Sequence, residues 1–153
     1  MKRFNIRVYG LVLYNGHALV TDEIRGEKHM TKFPGGGLEW GEGIKDCLCR
    51  EFAEELGQEP AIENLFYVTD YFQQSAFREE DQLISIYYTV KLPWPDNIPV
   101  ADEVFAFEEP VDGAQTFRWI PLKTLDPDHF TYPVDQLVAR MLREEDNSME
   151  SVY

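Results

Sequence analysis

The spacing of apolar positions changes several times along the chain, and each change marks an element. From Ile6 to Ile24, IRVYGLVLYNGHALVTDEI falls into two apolar stretches joined by Asn15-Gly16, a strong two-residue hairpin signal. FPGGGLEWGEG, from Phe33 to Gly43, reads as a glycine-rich loop. It leads directly into IKDCLCREFAEELG, a predicted helix ended by Gly57, since glycine relieves the left-handed turn that closes helices. AIENLFYVTDYFQ and LISIYYTVKL are rich in β-branched and aromatic residues and predict strands, with QSAFREEDQ as a polar loop between them. Three prolines make PWPDNIPVAD a loop, and EVFAFEE and QTFRWI are two further strand candidates. In PVDQLVARMLREE, Val134, Leu137, Val138, Met141 and Leu142 recur at helical spacing, with Pro133 suited to the first turn. These elements predict an α/β fold with a mixed sheet and two helices. They are read as one domain over residues 1–145, followed by a flexible tail over 146–153.

Composition narrows the functional classes. With 153 residues the chain can bury a proper core, and an apolar fraction of 44% excludes disorder of the whole. Lys and Arg number 14 against 28 Asp and Glu, so no basic stripe exists to displace counterions and nucleic acid is excluded as a partner. A small phosphorylated ligand is not excluded, because a bound divalent cation reverses the local sign. No apolar run is long enough for a transmembrane helix, and the basic-apolar start reads as a strand, not a targeting segment. Cys47 and Cys49 lie two apart in the predicted helix and point to different faces. Free thiols there fit a reducing, cytoplasmic compartment.

The predicted helix crowds Glu51, Glu54 and Glu55 into REFAEELG. At 100° per residue the three carboxylates share an arc of about 100°, beside an apolar stripe of Leu48, Cys49, Phe52 and Leu56. A solvated acidic face is the commonest reason for such a run. Here, though, no Lys or Arg follows at i+4, and like charges at this spacing repel. Hard oxygens with little positive protein charge suit Mg²⁺ or Mn²⁺. Arg50 borders the group and is placed to steady one member by an ion pair. The three glycines upstream let backbone approach a ligand closely.

The full spacing is much more specific. Gly36, five residues, Glu42, seven residues and then Arg50-Glu51, Glu54-Glu55 and Gly57 resemble the signature of the Nudix (MutT-like) hydrolase superfamily, with every fixed residue of its box present. Gln58 is the one departure, standing where the pattern has Ile, Leu or Val. The opening hairpin, KFPGGGLEWGEG and RWIPLKTL extend the likeness over most of the chain. The resemblance implies an α/β/α sandwich and metal-dependent hydrolysis of the pyrophosphate in a nucleoside diphosphate linked to a moiety X. X could make an NDP-sugar, an ADP-ribose-like compound or a nucleoside triphosphate. It implies that Glu51, Glu54, Glu55 and the Gly36 carbonyl hold Mg²⁺ or Mn²⁺, and that one of these glutamates or a later acid (Glu108, Glu109 or Asp112) is the base. Arg50 would orient the cluster and Glu42 would brace the loop against the helix. Homodimers are common in the superfamily.

Outside the box, Arg25 and Arg78 are the cations expected to contact phosphate or ribose, and Trp40 is expected to stack on a base or on X. Trp119 reads as core, Trp94 as a loop anchor, and His17, His29 and His129 as surface residues. A non-catalytic nucleotide-binding or sensing domain of the same family is the alternative. The intact acids and the lack of room for a fused module weigh against it. An isomerase of the isopentenyl diphosphate type is disfavoured by length and by missing cysteine and glutamate positions.

Overall fold

The computed structural model describes residues 1–150, and these divide into two compact units. The first joins Met1–Val12 to Pro34–Trp94, and the second joins Leu13–Phe33 to the chain from Pro95 on.

In the first unit, β1 (Arg3–Tyr14) runs parallel to β6 (Asp81–Lys91), with pairs from Arg3↔Asp81 to Val12↔Val90. β5 (Ala61–Val68) lies antiparallel on the far side of β6, and β4 (Gly35–Gly37) lies antiparallel on β1. The sheet is therefore mixed, as expected. Helix α1 (Ile44–Leu56) packs on it through Cys47, Leu48 and Phe52, all fully buried. Gly10 makes that contact close, because a Cβ there would run into the Phe52 ring. The buried stripe of α1 is rotated from the expected one: Cys47 replaces Cys49 and Leu56, which are only half-buried. Glu51 lies between Cys47 and Phe52 on the wheel, so it is drawn toward the packed side. At the end of α1, Gly57 has φ 66° and its N–H donates to the Ala53 carbonyl, the left-handed cap that its position predicted.

In the second unit, β2 (His17–Arg25) is flanked by β3 (Lys28–Lys32) and β7 (Gln115–Pro121), both antiparallel. Asn15 and Gly16 both have positive φ, 49° and 72°, as the tight hairpin turn requires. Leu19, Val20, Phe33, Phe117, Phe130, Val138 and Leu142 are buried here, the last two from α2 (Pro133–Glu150). Buried Asp22 accepts hydrogen bonds from Thr31 Oγ1 (2.6 Å), Arg118 Nη2 (2.9 Å) and the Phe105 amide (3.2 Å). A buried charge of this kind is tolerable only when so fully satisfied.

Several expectations are corrected. EVFAFEE forms no strand: Val104 and Phe105 are exposed, Phe105 has φ 56°, and the amides of Phe107 and Val111 bond the carbonyls two residues back. Local turns consume the donors a ladder would need. β3 and β4 were hidden, one by its charges and one by its glycines. α2 continues through residues 146–150, where a tail was expected, and residues 151–153 lie outside the described residues. Trp119 is half-buried and packs on Tyr14 (5.9 Å between ring centroids). His29 and His129 are exposed, whereas His17 is half-buried with Nδ1 2.7 Å from the Asn15 carbonyl.

Candidate active site

The box residues meet where β4 turns into α1, wholly within the first unit. β4 pairs Tyr9↔Gly35, Val8↔Gly36 and Arg7↔Gly37. A Cβ on Gly35 would collide with the Val8 carbonyl oxygen, and one on Gly36 would collide with the Glu51 carboxylate. Bare backbone is therefore required at both places, and it lets Glu51 lie flat against Gly36. The chain then runs through residues 38–43 into α1. Leu38 N–H donates to the Ile6 carbonyl (2.9 Å) and Glu39 N–H donates to Glu42 Oε1 (2.9 Å).

Arg50 organises this corner. Its Nε and Nη2 grip Glu42 at 3.0 and 2.8 Å, and Nη2 also donates to the Gly37 carbonyl at 3.0 Å. Nη1 reaches Glu51 Oε1 at 2.9 Å and Glu54 Oε2 at 3.5 Å. One guanidinium thus ties loop, strand and helix together, and the geometry to Glu42 is the bidentate fork that arginine makes best. These bonds hold the Glu42 carboxyl down to about 2, with the Glu39 amide contributing next. The same Glu42 bonds raise Arg50 above its ordinary value. Burial, followed by proximity to Glu42, pushes the Cys47 thiol up to about 12, so it stays a neutral packing group.

The three helix glutamates differ in access. Glu51 keeps 15% of its side chain exposed and Glu54 59%, while Glu55 is half-buried with its Oε2 shut off from solvent. Among the described residues, no three or more His, Cys, Asp or Glu side chains are gathered tightly enough to hold a metal ion. Arg50 stands among the acids as their counter-charge. The donor set nevertheless fits a hard divalent cation, because magnesium usually takes only one or two carboxylates and fills its shell with water and phosphate oxygens.

The other expected site residues are dispersed. Trp40 is fully exposed at the tip of the loop that Arg50 clamps, next to Gly41 with φ 94°. Arg78 is engaged by Glu80 (3.3 Å) and Asp81 (3.4 Å). Arg25 is exposed at the turn between β2 and β3 in the second unit, opposite Lys28. Glu108, Glu109 and Asp112 are exposed in the same unit, where Asp112 accepts the Gly26 amide (2.7 Å).

Two features escaped sequence reasoning. Arg7 faces Gly37 across the β1–β4 ladder, a placement legible only once β4 is recognised as a strand. Gln58 is buried, and its amide pairs with both backbone groups of Trp94, donating to the carbonyl at 2.8 Å and accepting the N–H at 3.0 Å. Trp94 is thus anchored through its backbone, and its indole is exposed.

The profile of the NUDIX domain matches residues 4–141. The chain belongs to the Nudix family. By class it is a pyrophosphohydrolase. Solved Nudix structures share the fold at low identity. A NUDIX hydrolase from Nitrosomonas europaea superposes with a TM-score of 0.67 at 18% identity, covering 94% of this chain and 90% of that one. A MutT protein from Methanosarcina mazei Go1 gives 0.66 at 19%, with 95% and 96% covered. A UDP-X diphosphatase gives 0.59 at 16%, with 95% and 66% covered. Among proteins of curated function, none matches the chain significantly.

Proposed function

We propose that this Nudix protein hydrolyses the pyrophosphate linkage of a nucleoside diphosphate joined to a moiety X, using Mg²⁺ or Mn²⁺ held by Glu51, Glu54, Glu55 and the Gly36 carbonyl. The observation that carries the reading is the Arg50 clamp, which fixes the glycine loop and Glu51 in one place. A divalent cation at such a donor set neutralises phosphate charge and lowers the pKa of a bound water. The chain's own part is positional. Arg50 and Glu42 hold the loop to the helix, and the bare backbone at Gly36 admits the Glu51 carboxylate beside a carbonyl oxygen. General-base assistance comes from within the glutamate cluster. Glu54 and Glu55 are assigned first as ligands, with Glu51 as ligand or base. Trp40, solvent-exposed on the clamped loop, is suited to stack on a base or on X, and Arg25 and Arg78 are assigned to substrate contacts. The fold is shared by MutT and UDP-X diphosphatase structures, so it does not choose between triphosphates and other NDP-X compounds.

One family match spanning residues 4–141 supports a single functional domain. The free thiols Cys47 and Cys49 support a reducing, cytoplasmic setting, and a homodimer is part of the proposal. Among the described residues no helix is long and apolar enough to cross a membrane.

The test is turnover of a panel of nucleoside triphosphates, 8-oxo-dGTP, ADP-ribose, NDP-sugars and dinucleoside polyphosphates with Mg²⁺ or Mn²⁺, with products identified by mass spectrometry. One class is expected to be cleaved at a pyrophosphate. Turnover should stop in EDTA and fall at least about 10²-fold in Glu54→Gln. If no compound is cleaved and nucleotides only raise the melting temperature, the non-catalytic binding domain replaces this reading.

A further inference from the structure

We propose that the cavity at the start of β1, wholly within the first unit, binds a nucleobase, which stacks on the phenyl rings of Phe4 and Phe72 and is read along its edge by Gln82. The proposal does not depend on the hydrolase reading, and it holds whether the base belongs to the hydrolysed nucleotide or to a separate nucleoside. The cavity measures about 760 Å³, within the range of small-molecule sites. Phe4 pairs with Gln82 of β6, and Gln82 pairs in turn with Gln74, so these three side chains stand abreast on one face. Val8 shares that face by strand alternation, and its partner Gly36 is the glycine against which Glu51 lies. The row is therefore on the glutamate side of the sheet, about 13 Å along β1 from Val8.

The walls select a neutral planar ring. Phe4 and Phe72 are 66% and 69% exposed, two apolar faces left open in one concavity, where a flat ligand regains the energy of burial. Stacking on an aromatic side chain accepts any base. The half-buried Gln82 amide adds a donor and an acceptor side by side, the pattern that matches a base edge. Charge argues against a phosphate here. Lys2 and Arg3 are set against Glu79, Glu80 and Asp81, and Arg3 is already bound to Asp81 at 2.8 and 3.1 Å. That acidic balance repels an anion and favours the N–H groups of a base. The site is also preformed. Leu83 N–H donates to the Gln73 carbonyl (2.8 Å), Ser75 N–H to the Asp81 carbonyl (2.9 Å) and Gln74 Nε2 to the Glu79 carbonyl (2.7 Å). The loop that carries Phe72 is thus tied down at several points, and a ligand binds without first ordering that wall.

The test uses the full chain in EDTA with adenosine, guanosine, cytidine and uridine, none of which carries a phosphate, and with ribose 5-phosphate as the base-free control. Saturation-transfer NMR detects binding, and titration gives Kd. At least one nucleoside is expected to bind with its base protons closest to the protein, and ribose 5-phosphate at least about ten-fold more weakly. Phe4→Ala and Phe72→Ala should each weaken the nucleoside about ten-fold or more, as loss of a stacked base does, while Phe72→Trp should preserve binding. Both phenyls are exposed, so these variants should fold, which far-UV circular dichroism checks. Gln82→Leu should narrow the preference among bases, and an unchanged preference would overturn its part. Steady-state kinetics separate the two sources of the base. A KM for the cleaved nucleotide that rises in Phe72→Ala by the same factor identifies the substrate's own base, and an unchanged KM beside weakened nucleoside binding identifies a separate nucleoside. Binding by wild type that is lost in the phenyl variants upholds the site even if no nucleotide is hydrolysed, in which case the hydrolase reading fails alone. No nucleoside bound by wild type, binding unchanged in both phenyl variants, or ribose 5-phosphate bound equally well overturns the site and leaves the hydrolase reading intact.

Discussion

Replacing Gln58 by leucine, the residue type that the family pattern favours, should destabilise this protein. The position follows Gly57, the left-handed residue that caps α1, and an apolar side chain there normally packs back on the last turn of the helix. Here the side chain is 8% exposed and its amide acts as a surrogate peptide, pairing with the Trp94 carbonyl at 2.8 Å and the Trp94 N–H at 3.0 Å. Two such bonds contribute about 2 kcal/mol together, because each is worth about 1 kcal/mol net. Trp94 sits in an exposed loop, so water can rehydrate its backbone and the full penalty of a dry orphan does not apply. Leucine regains some apolar transfer energy at the same spot, on the order of 1 kcal/mol. The net loss is about 1 kcal/mol in Gln58→Leu and about 2 kcal/mol in Gln58→Ala, which lacks that compensation. Urea unfolding followed by far-UV circular dichroism measures both. The midpoint should fall with the slope unchanged, as befits a loss confined to the native state. Turnover at saturating substrate should stay within about threefold, because the Gln58 amide is taken up by the Trp94 backbone. A leucine variant as stable as wild type would show that the apolar cap outweighs both hydrogen bonds, and the peptide-surrogate account would be wrong.

Glu42→Gln should flatten the acid limb of the stability curve. The Glu42 carboxyl is held near 2, below its ordinary 4.5, so its stabilisation is complete above pH about 4.5 and is lost as pH falls toward 2. Matched acid titrations of wild type and variant isolate this window from that of Asp81 and Glu80, whose carboxyls are also lowered; identical curves would dismiss it. Gly36→Ala should cost about 10²-fold in turnover, since its Cβ would displace the Glu51 carboxylate and small misplacements cost that much. Full activity in that variant would show that Glu51 need not lie against β4. Asp22→Asn should lower unfolding free energy by about 3 kcal/mol, the low end for breaking a buried pair, because it leaves half-buried Arg118 without its counter-charge. A urea-derived loss under about 1 kcal/mol would mean that the network relaxes around asparagine.

The sequence made the elements around the box legible because their signals are local. Asn15-Gly16 and Gly57 adopt the positive φ that their types predict, and the apolar spacing of α1 and the β-branched content of β6 led to correct elements. Failures occurred where tertiary context overrode local pattern. EVFAFEE has strand propensity, but its amides close turns and Phe105 is drawn to Asp22, far away in sequence. β3 looks too charged for a strand because Lys32 is buried against Glu23 at 3.4 Å, a pairing that no periodicity reveals. Cys47 displaced Cys49 from the buried stripe because Glu42, Arg50 and the Gly37 carbonyl close over that side of the helix. Among site residues, the box placed the glutamates on the correct element, while their different exposures depend on where the helix meets β4.

The acidity of the chain and the economy of its site are linked through Arg50. Three glutamates on one helical arc repel one another, and an unoccupied cluster of this kind would open if nothing offset the charge. Arg50 supplies that offset while leaving Glu54 mostly exposed. It also spans Glu42 and the Gly37 carbonyl, so the same side chain that stabilises the acids fixes the loop they share. Lysine could preserve the charge but not this reach, since a single ammonium cannot hold two carboxylates and a carbonyl in a fixed plane. Arg50→Lys should therefore retain much of the thermal stability yet lose turnover by about 10² or more. Near-normal turnover in a folded Arg50→Lys protein would reduce Arg50 to a counter-ion, and the clamp would no longer explain how the site keeps its geometry.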